Sequence, residues 1–147
     1  FEQNGVDARV MTSVPMHGLG EAFSKEEAVR HLNDGCVVIF GCGTGNPYFT
    51  TDTAGVLKAL EIDAEAILLA KNIDGVYSAD PNKDPGAVKY DTITYDEMLA
   101  KHLAVMDTAA TSMAMENNLP VEVFALKDPQ NIVRVVCGHK IGTSVTN

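Results

Sequence analysis

This chain has no tryptophan, only three cysteines, and an aromatic content of 6%. Cys36, Cys42 and Cys137 are odd in number and widely spaced, which suits neither a disulfide framework nor a zinc site. They read as reduced thiols, with Cys36 and Cys137 as small core residues and Cys42 in a loop. Basic residues are also few: 11 Lys and Arg face 20 Asp and Glu, for a net charge of −9. A protein that follows a nucleic-acid backbone needs clustered cations, so that class is excluded. The acidic balance favours solubility. It leaves small phosphorylated ligands open, because backbone N–H groups and Mg²⁺ can hold them. No apolar run approaches the ~20 residues of a membrane span, and no signal peptide is visible. His17, His31, His102 and His139 lie far apart, form no metal-ligand spacing and predict surface or helix-end positions. The first residue is Phe1 rather than Met, which reads as a processed or partial sequence.

What is present suits one domain with a real core: 147 residues, 46% of them hydrophobic. Short, wholly apolar runs at 36–40 and 66–70 read as buried strands. A strand is also predicted at 7–14, another after Pro120 at 121–126, and a last one at 144–146. Ser24 and Glu27 form a capping box that opens a helix over 25–33, with Gly35 as its stop. Thr94 and Glu97 form a second such box, opening a helix to about residue 101. Helices are expected at 52–60, at 108–117 behind Asp107, and at 129–136 behind Pro129. Apolar strands alternating with helices predict an α/β sandwich with a mostly parallel sheet. Met106, Met113 and Met115 lie on or beside one helix and read as core or oligomer contacts.

Two loops stand out. The first, 41–52, joins the 36–40 strand to the next helix. It packs three glycines, Pro47, two rings, three threonines and Asp52 into twelve residues. Glycines between a strand and a helix let the backbone approach a ligand and turn its N–H groups toward an anion. Thr44, Asn46, Thr50 and Thr51 add neutral donors and acceptors, and the run suits a phosphorylated ligand. Tyr48 and Phe49 read equally as core anchors of the loop, and Asp52 as a first-turn residue favoured by the helix dipole. The second loop, 72–91, has no periodicity and carries Asp74-Gly75, Asp80-Pro81 and Asp84-Pro85. Loops this long in a compact domain are usually functional or disordered. Tyr77 suits stacking on a flat ligand, Asp80 a ribose hydroxyl or Mg²⁺, and Asn72 a base or phosphate. Each residue alone also fits a turn or packing role. Both loops leave the carboxyl ends of strands, where ligands bind in such sheets, so one site could use both.

The segments GTGNPYFTTD (43–52), AKNIDGVYSADPNKDP (70–85) and AVMDTAATSMAMENNLPVEVF (104–124), in this order and spacing, resemble the bacterial uridylate kinases. These are the UMP kinases of the amino acid kinase family, and the resemblance runs over about 8–146. It implies a three-layer α/β/α sandwich of the carbamate kinase-like fold, with 1–147 as the C-terminal portion of a single domain. It implies transfer of the γ-phosphoryl of ATP, with Mg²⁺, to UMP. The acceptor loop would take UMP through Thr44, Gly45, Asn46, Pro47, Tyr48, Phe49, Thr50 and Thr51. Thr44 and Asn46 would face the uracil, and Thr51 the phosphate. The ATP loop, 71–85, would use Asn72, Tyr77 and Asp80, with Lys71 competing for the role of Asn72. Asp52 matches an acidic residue that orients the transfer-site lysine, and Asp107 lies in a motif near the phosphates. A homohexamer, GTP activation, UTP inhibition and a cytoplasmic place are implied as well.

The chain carries neither the Lys-x-Ser-Gly-Glu nor the Gly-Gly-Gly-Asn segment of the family's first half. The 147 residues alone are therefore expected to be inactive and poorly stable. Two alternatives stay open: a non-catalytic nucleotide-binding or regulatory module, and another kinase of the same fold acting on an amino acid or carbamate.

Overall fold

The structure, a computed structural model, describes residues 1–103 and 105–147. Ala104, which begins the third family motif, lies outside the described residues. The chain forms two compact units, 1–64 and 65–147.

In the first unit a short 3₁₀ turn, Glu2–Asn4, precedes β1 (Ala8–Thr12), β2 (Glu21–Ala22), α1 (Lys25–Asn33), β3 (Val37–Gly41) and α2 (Thr51–Glu61). The three strands form a parallel sheet in the order β2-β1-β3. Ser24 caps α1 by accepting from the Glu27 N–H, as its sequence predicts. The return half of the capping box is not made. The Glu27 carboxylate instead accepts from Arg30 Nε and Nη2, at 3.0 and 2.7 Å, a charged partner one turn along the same helix. Met11, Ala28, Ala54, Val56 and Ala59 form the core of this unit.

β3 is not the fully buried strand its apolar run predicts. It lies at the edge of its sheet, and α1 packs on it. Its residue Ile39 is 40% exposed beside its register partner Val10, at 39%, on one uncovered face.

The second unit holds β4 (Ile67–Lys71), β5 (Thr92–Thr94), α3 (Tyr95–Ala100), α4 (Thr108–Glu116), β6 (Val121–Ala125), α5 (Gln130–Val136) and β7 (Thr143–Thr146). Its sheet runs β4-β6-β7-β5. β4 pairs parallel with β6, and β5 with β7, while β6 and β7 are antiparallel. The two-residue β2 and three-residue β5 carry too few residues for an alternation to be read, and sequence patterning missed both. Val121, Val123, Phe124 and Val145 fill the sheet's core with Ile93, Tyr95 and Met98. Met106 is buried with them, as expected, while Cys137 is exposed, against expectation. Cys137 follows the last residue of α5, whose Ile132, Val133 and Val136 are also exposed, so it has no core to enter. Among the described residues, no helix is long and apolar enough to cross a membrane.

Candidate functional site

The acceptor-loop candidate leaves the carboxyl end of β3. Four of its residues hold left-handed backbone: Cys42 (φ 68), Gly43 (φ 59), Gly45 (φ 75) and Tyr48 (φ 69). Cys42 and Tyr48 are not glycines, and such strain persists only where the surroundings over-determine it, typically at ligand sites. The loop is tied down from β1. Ser13 Oγ donates to the Gly43 carbonyl at 2.7 Å, and the Gly45 N–H closes a turn on the Cys42 carbonyl at 3.0 Å. Cys42 Sγ also meets Met16 Sδ at 3.3 Å.

Thr44 and Asn46 are brought together. The Asn46 N–H donates to Thr44 Oγ1 at 3.1 Å, and Asn46 Nδ2 to the Thr44 carbonyl at 3.2 Å. This small polar knot presents the edges of both side chains on an open surface. Tyr48 is fully exposed and Phe49 is 56% exposed, so neither anchors a core. Two exposed rings beside a strained turn make a surface that a flat ligand would desolvate. Thr50 is the N-cap of α2, accepting from the Thr53 N–H at 3.2 Å. Thr51 and Asp52 therefore stand in the first turn, where N–H groups and the dipole favour an anion.

The second loop leaves the carboxyl end of β4. A cavity of about 440 Å³ opens here, lined by Tyr77, Asp80, Pro81, Lys101, His102 and Leu103 among others. That volume falls in the range of small-molecule sites. Lys71, Asn72, Asp74 and Lys127 line a neighbouring cleft that shares Ile73, Pro81 and Val105 with the cavity. Tyr77 and Asp80 thus meet at one opening, while Asn72 and its competitor Lys71 both lie in the adjoining one. Asp107 lines neither: its Oδ1 caps α4 by accepting from the Ala110 N–H at 3.0 Å.

The loop carboxylates are already organised. Tyr77 Oη donates to Asp74 Oδ1 at 2.8 Å, and Lys89 Nζ lies 3.5 Å from Asp74 Oδ2. Partial burial pushes the Asp74 carboxyl up, but the Tyr77 hydroxyl and the Lys89 ammonium outweigh it and hold it below its usual value. The same hydrogen bond pushes the Tyr77 phenol up. Asp80 Oδ1 accepts from the Asn82 N–H at 3.0 Å and from Asn82 Nδ2 at 3.2 Å. The backbone bond is the main cause of its lowered pKa. A carboxylate has about four acceptor positions, so Asp80 retains capacity for a ligand hydroxyl.

Lys101, His102 and Lys127 at the two openings had no signal in the sequence: none belongs to a motif, and only the return of the chain brings them there. His31 lies in the last turn of α1, a helix-end position of the kind the sequence predicts. It is buried, and its Nε2 sits 3.0 Å from Glu21 Oε2, pinning β2 to α1. Ligand atoms of Glu21, Glu27 and His31 lie within 4.8 Å of one another, but Arg30 already neutralises Glu27.

A model of the amino acid kinase family matches residues 1–125, and the chain belongs to that family. Within it, the similarity is to uridylate kinases. The chain is 52% identical over 147 residues to the uridylate kinase of Porphyromonas gingivalis, covering 100% of this chain and 62% of that protein. It is 54% identical over 146 residues to the uridylate kinase of Pediococcus pentosaceus, covering 99% and 61%. Among solved structures, UMP kinase from Bacillus anthracis superposes with a TM-score of 0.95 at 37% identity, over 99% of this chain and 60% of that one. UMP kinase from Ureaplasma parvum gives 0.95 at 34% identity, over 99% and 63%. The fold is therefore the α/β amino acid kinase fold with mostly parallel strands. The chain spans about three-fifths of the length of the curated relatives it matches.

Proposed function

We propose that this chain is part of a UMP kinase, which transfers the γ-phosphoryl of ATP to UMP and yields UDP and ADP. The observation that carries the reading is identity above one half, along the whole chain, to proteins named uridylate kinase. The open, strained acceptor loop and the cavity beside the second loop support it. In this reading Thr44 and Asn46 face the uracil, with Gly45 and Pro47 shaping the turn and Tyr48 and Phe49 covering the ligand. Thr50 caps the helix whose first turn, with Thr51, meets the UMP phosphate. Tyr77 packs on the adenine, Asp80 accepts from a ribose hydroxyl, and Asn72 or Lys71 reaches the phosphates. Asp52 orients the transferring-site lysine, and Asp107 supports the phosphate region through the helix it caps.

The metal enters with ATP as part of the substrate. Phosphoryl transfer rests mainly on positioning and on stabilising charge spread over the transferring oxygens. The Lys-x-Ser-Gly-Glu and Gly-Gly-Gly-Asn segments that serve this in the family are absent from these 147 residues. The reading therefore has 1–147 inactive alone. It includes a homohexamer activated by GTP and inhibited by UTP, acting in the cytoplasm.

The test is phosphate transfer from radiolabelled ATP to UMP, CMP, glutamate and aspartate, by the 147-residue chain and by the full-length protein. Transfer to UMP by the full-length protein alone is expected. Transfer only to an amino acid would replace the reading with an amino acid kinase. Calorimetric binding of UMP or ATP without turnover in either form would favour a regulatory module.

A further inference from the structure

The 72–91 loop is an unfinished hairpin. Tyr77 and Lys89 form an isolated antiparallel bridge, flanked by Ser78 N–H to Val88 carbonyl and Tyr90 N–H to Val76 carbonyl, each at 2.9 Å. An antiparallel ladder continued by one step would have Val76 and Tyr90 exchange both of their backbone bonds. Only one of the two is made directly. The other is relayed through Thr143, the first residue of β7: the Val76 N–H donates to Thr143 Oγ1 at 2.8 Å, and that hydroxyl donates to the Tyr90 carbonyl at 2.5 Å. Thr143 is fully buried, so no water competes for these bonds.

Two neighbouring contacts hold the hydroxyl in place. A Cβ on Gly75 would stand 2.5 Å from Thr143 Oγ1, so only glycine leaves room for the loop to reach it. Lys89 Nζ donates to the Ile141 carbonyl at 3.4 Å while facing Asp74, fastening the other limb to the same segment. Val76 and Tyr77, next to the relay, and Asp80 beyond them all line the 440 Å³ cavity.

We propose that Thr143 is a positioning residue for the nucleotide loop. Its hydroxyl wedges into the neck of the hairpin, joins both limbs, and so fixes Tyr77 and Asp80 at the cavity. Thr143 lies outside the residues that the family model matches, and no loop motif contains it. The ligand part of the proposal rests on the reading that this cavity takes MgATP. The clamp itself does not.

Thr143→Val keeps the shape and removes the hydroxyl, while Thr143→Ser keeps the hydroxyl. In the full-length protein, hydrogen exchange of the Val76 amide should quicken at least tenfold in Thr143→Val and stay within a factor of about three in Thr143→Ser. The dissociation constant of the Mg²⁺ complex of a non-hydrolysable ATP analogue, and KM for ATP, should rise about tenfold in Thr143→Val. KM for UMP should not change, and kcat should change far less. Unaltered Val76 exchange in Thr143→Val overturns the clamp, as does a Thr143→Ser variant as impaired as Thr143→Val. Should Thr143→Val fail to fold, the wild-type protein decides: its Val76 and Tyr90 amides must exchange at least tenfold more slowly than those of 82–87, and equal rates overturn the clamp. Wild-type protein that does not bind the ATP analogue refutes the nucleotide reading, while the exchange rates still decide the clamp.

Discussion

Replacing Tyr95 by phenylalanine removes one hydroxyl from the most buried aromatic residue of the second unit. Tyr95 is fully buried at the start of α3, and its Oη donates to the Leu119 carbonyl at 2.6 Å. Losing that bond strands a buried carbonyl, which costs about 1–2 kcal/mol near neutral pH. For a chain of this size the melting temperature should fall by about 2–6 °C. Burial also pushes the Tyr95 phenol up from 10.0 to about 12. A phenol raised in the folded state contributes stability that is complete below pH 10 and is lost as pH rises toward 12. At pH 11 an exposed tyrosine in the unfolded chain is ionised about tenfold over its neutral form, which favours unfolding by about 1.4 kcal/mol. Phenylalanine does not titrate, so the wild-type advantage should shrink to about zero near pH 11 and reverse above it. Urea unfolding of both proteins from pH 7 to 11.5 measures this gap directly, because every other titrating group cancels between them. A gap of constant size across that range would refute the burial argument, and no gap at pH 7 would refute the hydrogen bond.

Gly142→Ala should destabilise toward the upper end of roughly 1–3 kcal/mol, because the new Cβ would collide with the Val123 carbonyl oxygen across the β6–β7 pair; thermal unfolding reads it. Asp107→Ala should cost about 1 kcal/mol through the lost α4 cap, whereas Asp107→Asn should cost little, since Asn caps as well as Asp. A loss of activity in Asp107→Asn with unchanged stability would separate a charge role from the cap. Tyr77→Phe should raise the Asp74 carboxyl pKa, because burial then faces only Lys89 and a backbone hydrogen bond, without the phenol; carboxyl ¹³C titration checks it. In the wild type the Asp74 contribution to loop order should be present above its ordinary 3.8 and fade as pH falls through its lowered value, read as faster exchange in 72–91.

Local signals with short-range physics were legible in the chain. Ser24, Thr50, Thr94 and Asp107 are side chains that accept from a backbone N–H three residues on; Ser24, Thr94 and Asp107 cap helices where the sequence places them, and Thr50 caps α2, which starts one residue ahead of the expected 52. The apolar runs of β3, β4 and β6, the strand-to-helix loop at 41–52 and the aperiodic loop at 72–91 were likewise readable, and so was the family through its motifs. Burial was not. Ile39 and Leu68 sit in wholly apolar runs yet are 40% and 41% exposed, because cover is supplied by other elements and not by the strand itself. His31 looks like any helix residue until the chain brings Glu21 to its ring. Lys101, His102 and Lys127 reach the cavities, and Thr143 reaches the neck of the loop, only through contacts between residues tens of positions apart. A hydrogen bond such as Val76 to Thr143 spans 67 residues of sequence, and no local propensity encodes it. The sequence by itself therefore determined the helix starts, the strand runs and the family. Tertiary structure alone decided which faces are covered, where the loops are fastened and which side chains share the cavity, because those depend on long-range chain closure rather than on neighbours in sequence.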